Sequence, residues 1–179
     1  MNILLTILLI IAILVALLLI TALFTKKEYT VERETTINKP RQEIFDYVKL
    51  IRNQDYYNVW VMMDPNSKRN YKGTDGTVGF EYTWDSTNKR VGKGEQTIKA
   101  IKEGERIESG IHFIKPFEGK AVALMTTELV TEKQTKVKWT FNSGMKYPMN
   151  AMLLFMNMDK MLGTALQESL VNLKTVLEK

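Results

Sequence analysis

The stretch Ile3–Phe24 reads ILLTILLIIAILVALLLITALF, without a charge and with Thr6 and Thr21 as its only polar side chains. As a helix it would reach roughly 33 Å, enough to cross the hydrocarbon core of a bilayer. Both threonine hydroxyls can bond back to the preceding helical turn, so neither implies a pathway through the membrane. A cleavable signal would carry a basic n-region, a shorter apolar run and a small-residue cleavage site. This stretch has none of these, and the expectation is an uncleaved single-pass anchor. Lys26 and Lys27 follow directly, with Arg33, Lys39 and Arg41 behind them. The positive-inside rule then places the remainder of the chain in the cytoplasm.

That remainder is polar, mixed in pattern and the size of one ordinary domain. The expected division of the 179 residues is an anchor with its flank at 1–27 and one domain at 28–179. The net charge of +5 is spread along the domain. Nucleic-acid binders concentrate their Lys and Arg, so no nucleic-acid partner is expected. The absence of cysteine excludes disulfides and thiolate chemistry. The sequence sets no oligomeric state.

Residues 29–38 are rich in β-branched side chains and read as a strand. Pro40 ends it and suits the start of a helix over 40–50, with Ile44, Phe45, Tyr47 and Val48 at helical spacing and Glu43 in the first turn. Residues 51–63 read as a second short helix and an apolar elbow, closed by the turn Asp64-Pro65-Asn66. Strands follow at 77–84, 91–100, 106–114, 121–130 and 135–141, joined by short turns. In the first of these Val78, Phe80, Tyr82 and Trp84 alternate onto one face. Sequential strands with short connections imply an antiparallel meander. Residues 147–179 read as one long helix, with Met152, Phe155, Leu162, Leu166, Leu170, Leu173 and Leu177 in a stripe at steps of three and four. The expected architecture is α+β: a curved antiparallel sheet of about six strands around a long C-terminal helix, with a cavity between them.

The local residues support a family resemblance. Ile37-Asn38-Lys39-Pro40 before Ile44-Phe45, Trp60-Val61 before Asp64-Pro65-Asn66, and Phe80-Glu81-Tyr82-Thr83-Trp84 before Gly92-Lys93-Gly94 are three such segments. Phe113-Ile114-Lys115-Pro116-Phe117, Thr135-Lys136-Val137-Lys138-Trp139 and Met158-Asp159-Lys160-Met161-Leu162-Gly163 are three more. Together they resemble the START-like (SRPBCC) superfamily, which includes Bet v 1-like and polyketide cyclase/dehydrase-like proteins, over residues 28–179. The resemblance implies the helix-grip fold, and many bacterial members of this branch carry an N-terminal membrane segment. It also implies a lipid or other hydrophobic small molecule as ligand. It leaves open a polyketide cyclase/dehydratase-like enzyme, in which Tyr82 or Asp85 would guide a reactive ligand, or a protein-interaction module of the chaperone-activator kind.

The residues give little support to catalysis, and no catalytic residue is assigned. His112 is the sole histidine, and its alternation with Ile111 and Phe113 puts it on the opposite, wet face of its strand. One histidine without cysteine makes neither a metal centre nor a supported triad, so no metal or cofactor is expected. Gly92-Lys93-Gly94 does not lead from a strand into a helix and lacks a third glycine, so it reads as a bend in a curved sheet rather than a dinucleotide loop. Gly163 reads as a point of close helix–sheet approach. Six of the ten methionines fall between Met145 and Met161. Unbranched, polarizable side chains adapt to varied partners, so Met149, Met152 and Met156 are candidates for a cavity mouth. Phe80, Tyr82, Trp84, Ile111, Phe113, Trp139 and Phe141 are the candidates across from them. Tyr82 and Trp84 carry polar handles that a buried site would have to satisfy.

Overall fold

The computed structural model describes residues 2–179. Helix α1 (Ile3–Phe24) precedes strand β1 (Glu28–Ile37), helix α2 (Arg41–Lys49), a 3₁₀ turn (Ile51–Tyr56) and the short helix α3 (Val59–Met62). Strands β2 (Lys68–Lys72), β3 (Glu81–Asp85), β4 (Lys93–Lys102), β5 (Arg106–Lys115), β6 (Gly119–Thr131) and β7 (Gln134–Gly144) follow. A second 3₁₀ turn (Met149–Leu154) leads into helix α4 (Met158–Leu177). All strand pairings are antiparallel, in the order β1-β7-β6-β5-β4-β3-β2. The sheet therefore has seven strands, one more than the sequence pattern shows. The added strand, β2, is the edge segment KRNYK, where charge discourages further pairing and leaves little apolar signal.

The sheet closes on α4 because both present matching apolar faces. Leu166, Leu170 and Leu173 recur at helical spacing and are fully buried. They belong to one cluster with Val31 and Ile37 of β1 and Val137 and Trp139 of β7. Arg33 lies on the same alternation as Val31 and reaches over the start of α4. Its guanidinium donates to both carboxylate oxygens of Asp159, at 2.8 and 2.9 Å. A Cβ at Gly163 would strike the Arg33 guanidinium, so this glycine leaves the space in which that group sits. The long C-terminal helix is shorter than its sequence pattern suggests. Asn157 stops it at the N-terminus, its side chain accepting from the Lys160 N–H at 2.9 Å. Met152 and Phe155 therefore lie outside α4.

Two other expectations shift locally. Val78 is not on a strand: residues 74–80 form a loop, Gly79 takes φ +90° and Val78 points outward. At Gly92-Lys93-Gly94 the chain bends as expected. Gly92 has φ +65°, the β4–β5 register shifts between Lys93 and Gly94, and a Cβ at Gly94 would strike the Trp84 ring. The α2 and α3 segments close one side of the grip. The Val59 N–H donates to Ser169 Oγ at 3.0 Å, tying α3 to α4. Arg69 of β2 donates to Asp55 Oδ1 at 2.6 Å and to the Val61 and Asp64 carbonyls at 3.2 Å, tying the sheet edge to the same segment.

Helix α1 is apolar all round and exposed along most of its length, with Ala22 buried. It is long and apolar enough to cross a membrane. Thr21 Oγ1 donates to the Leu18 carbonyl at 2.8 Å, satisfying that hydroxyl within the helix.

The grip predicts its own sensitivity. Leu170→Ala should cost about 2–5 kcal/mol by loss of buried contacts and creation of a cavity. Val171→Ala, on the exposed face one residue away, should change stability by less than about 0.5 kcal/mol. Denaturant unfolding of the detergent-solubilised chain measures both.

Candidate functional site: a helix–sheet cavity

Between α4 and the concave face of the sheet lies a cavity of about 300 Å³. That is at the lower end of small-molecule sites. Its sheet wall follows from strand alternation. Tyr82 and Trp84 of β3, Ile111 and Phe113 of β5, and Trp139 and Phe141 of β7 all face inward. Tyr82 stacks on Trp84 with ring centroids 5.6 Å apart, and Trp84 meets Phe113 edge-on at 6.2 Å. Phe113 in turn packs against Phe141 at 6.3 Å, so one aromatic band runs across the sheet. Leu162 and Leu166 of α4 form the opposite wall, and Tyr57, Trp60 and Val61 close the side.

The wall is not wholly apolar. Gln96 and Ser109 occupy inward positions on β4 and β5, both buried, and both line the cavity. Neither side chain has a hydrogen-bond partner in the protein among the described residues, so each is free to bond a ligand. Gln54 and Asn58 also line it and bond to each other, Asn58 Nδ2 donating to Gln54 Oε1 at 3.1 Å. Burial pushes the Tyr82 hydroxyl up to about 12 and raises Tyr57 as well. Both phenols stay neutral near pH 7 and offer a donor and an acceptor. At the mouth, the loop 86–92 contributes Arg90, the end of β5 contributes Lys115 and the turn after it contributes Phe117. Among the described residues no carboxylate and no histidine lines the cavity.

Of the ten residues picked out by the sequence pattern, the cavity brings together Tyr82, Trp84, Ile111, Phe113, Trp139 and Phe141. Phe80 lies elsewhere: it is fully buried and stacks on Tyr71 at 6.1 Å, because the loop before β3 carries it beneath the edge strand. Met149, Met152 and Met156 also lie elsewhere, because the chain breaks at Asn157 before α4 begins. Met149 and Met152 are exposed on the 3₁₀ turn, and Met156 lines a separate groove beside α1. Gln96 and Ser109 are the additions. Their signal is a polar side chain at an inward position between Gly94 and Ile98, and between Ile107 and Ile111.

His112 faces away from the cavity, with Nδ1 3.3 Å from Glu95 Oε1 and Nε2 3.4 Å from Glu118 Oε1. Asp85 is exposed at the end of β3, where a 2.7 Å bond from Lys93 holds its carboxyl below the usual range. It is not part of the cavity lining. Among the described residues there is no cluster of His and acidic side chains that would hold a metal.

A seven-stranded antiparallel sheet gripping a C-terminal helix defines the class: the chain adopts the helix-grip fold of Bet v 1-like proteins. No family model matches the sequence, and no curated protein matches it. Solved structures do. A protein from Rhizobium loti superposes with a TM-score of 0.61 at 12% identity, over 83% of this chain and 96% of that one. Norcoclaurine synthase from Thalictrum flavum, solved in complex with dopamine and hydroxybenzaldehyde, gives 0.60 at 8% identity over 89% and 91%. Ara h 8.0201 gives 0.53 at 15% identity over 84% and 98%. In each case the superposition covers more than four fifths of this chain and more than nine tenths of the other.

Tyr82 carries a pH prediction. Its pKa is raised in the folded chain, so its contribution to stability is intact below pH 10 and is lost as the pH rises from 10 through about 12. Unfolding midpoints measured from pH 9 to about 12.5 should fall less steeply for Tyr82→Phe than for the parent chain.

Proposed function

We propose that this protein is a membrane-anchored binding domain for a lipid or other hydrophobic small molecule, held in the helix–sheet cavity. The carrying observation is the lining itself: an aromatic and aliphatic chamber with unpartnered Gln96 and Ser109 inside and Arg90 and Lys115 at its mouth. Such a chamber suits an apolar body with one polar end, and the two cations favour an anionic head such as a carboxylate or phosphate. The chamber supplies no imidazole or carboxylate to move a proton near neutrality, so binding is proposed ahead of cyclase- or dehydratase-like chemistry.

The anchor supports the same reading. Helix α1 is mostly exposed yet has no polar face to turn toward water, which is the pattern of a helix surrounded by lipid. The basic residues that follow it favour a cytoplasmic domain. The sheet register supports a mouth at the α1 end of the domain. Glu28 pairs with Gly144, Ser143 with Ala121, and Phe113 with Gly119. Lys115 pairs with Lys93. The chain's exit from α1 and the loops carrying Arg90 and Phe117 therefore lie at one end of the sheet. A ligand partitioned into the bilayer meets the mouth by local transfer.

The test uses the full chain in lipid nanodiscs and a fluorescent fatty acid. Ala123→Phe fills the cavity from its sheet wall and should weaken binding at least tenfold while circular dichroism stays unchanged. Arg90→Glu with Lys115→Glu should weaken the fatty acid but not the corresponding fatty alcohol. Unchanged affinity for Ala123→Phe in a folded protein would rule out this cavity as the site.

A further inference from the structure

Residues 145–156, read as MKYPMNAMLLFM, serve neither the cavity nor α4, yet they are firmly placed. The 3₁₀ turn Met149–Leu154 packs against the end of α1. Asn150 is fully buried there. Its Nδ2 donates to the Ala22 carbonyl at 2.7 Å and to the Thr25 carbonyl at 3.0 Å. These belong to the group of carbonyls that a helix leaves open at its C-terminus. The Met145 N–H donates to the Lys27 carbonyl at 2.8 Å, stitching the same junction from the other side. The turn is thereby fixed at the level where the apolar helix ends.

Around this buried amide, from Met145 to Met156, the exposed side chains other than Lys146 are apolar. Phe155 is 80% exposed, Leu154 55% and Met149 48%, with Met152 and Tyr147 also exposed. They continue the surface of α1, whose Phe24 is 86% exposed. An open groove lined by Ile20, Phe24, Leu153, Leu154 and Met156 joins the two. A contiguous apolar surface of this kind marks an interaction site, and its occupant follows from its position. It is continuous with a helix that the proposed function sets in a bilayer, and Lys26 at the groove and Lys27 beside it suit lipid headgroups.

We propose that residues 149–156 form a second membrane contact, dipping into the leaflet in which α1 ends. The inference rests on α1 being a membrane span. Exposed aromatic and unbranched apolar side chains suit the interfacial zone, where tails and headgroups mix. A single span leaves a domain free to swivel about the helix axis. With the turn locked to the helix end by Asn150 and seated in the leaflet, the domain holds one orientation and its cavity mouth stays at a set height.

The chain has no native cysteine, so single labels test this in the intact protein. Phe155→Cys and Met152→Cys, each carrying an NBD fluorophore, are placed in phosphatidylcholine/phosphatidylglycerol nanodiscs containing lipid with a spin label near the headgroup. Ile13→Cys within α1 reports the span. Val130→Cys, near the end of β6 beside the β6–β7 turn and at the far end of the sheet, reports bulk water. Severalfold quenching at Phe155 and Met152 with none at Val130 supports the proposal. Quenching at Ile13 alone, by a lipid spin-labelled deep in its tail, overturns the proposal and leaves the span intact. Loss of quenching at Ile13 overturns both. Phe155 labels that escape lipid quenching but self-quench with labelled copies assign the face to a dimer and overturn the proposal as well.

Discussion

The fold depends on one apolar seam, the contact of α4 with the concave sheet. Leu166, Leu170 and Leu173 are buried against Val31, Ile37, Val137 and Trp139, and this cluster joins the first strand and the last strand to the last helix. Hydrophobic burial has no direction, so the seam alone would tolerate sliding of helix on sheet. Arg33, Asp159 and Gly163 give it a register. The planar guanidinium grips both carboxylate oxygens, and the missing Cβ provides the space it needs. Ser169 adds a polar point on the same helix that holds α3 in place.

The cavity is a consequence of that geometry. Helix α4 packs most closely on β1. The curve of the sheet then carries β3, β4 and β5 away from it, and the short helices span the opening. Close packing would normally fill such a space. Here the aromatic band from Tyr82 to Phe141 lines it instead, and Gln96 and Ser109 place hydrogen-bonding groups in it. Neither side chain bonds to another group of the protein among the described residues, so their position on a cavity wall is informative. It supports a ligand with one polar feature on an otherwise apolar body.

At the other end of α1 from its start, a second arrangement joins the helix to the domain. Asn150 closes the helix's open carbonyls, and the Met145–Lys27 bond holds the returning chain beside the exit. The sheet register brings the loops of the cavity mouth to this same end. The proposed capture of a ligand from a bilayer and the proposed second membrane contact both draw on this one junction, although they involve different residues.

The sequence by itself determined the periodicities. An unbroken apolar run gives a helix with no polar face, alternation over residues 106–114 and 135–141 gives strands with one inward face, and leucines at steps of three and four give a gripped helix. The inward aromatics of the cavity were legible for that reason, since a strand fixes which side chains share a face. The family resemblance added the way these pieces assemble. Tertiary structure alone decided where those periodicities stop. Met152 and Phe155 fit the leucine stripe, but Asn157 caps the helix after them and the turn packs on α1 instead. Phe80 and Val78 fit the alternation of β3, but Gly79 turns the chain before the strand begins. Gln96 and Ser109 read as ordinary polar residues until the bend at Gly94 and the curve of the sheet set them on a cavity wall. Period depends on local backbone geometry, which neighbouring residues specify. Ends and cavities depend on which distant surface is available to pack against, and residues far apart in the chain specify that only once it has folded.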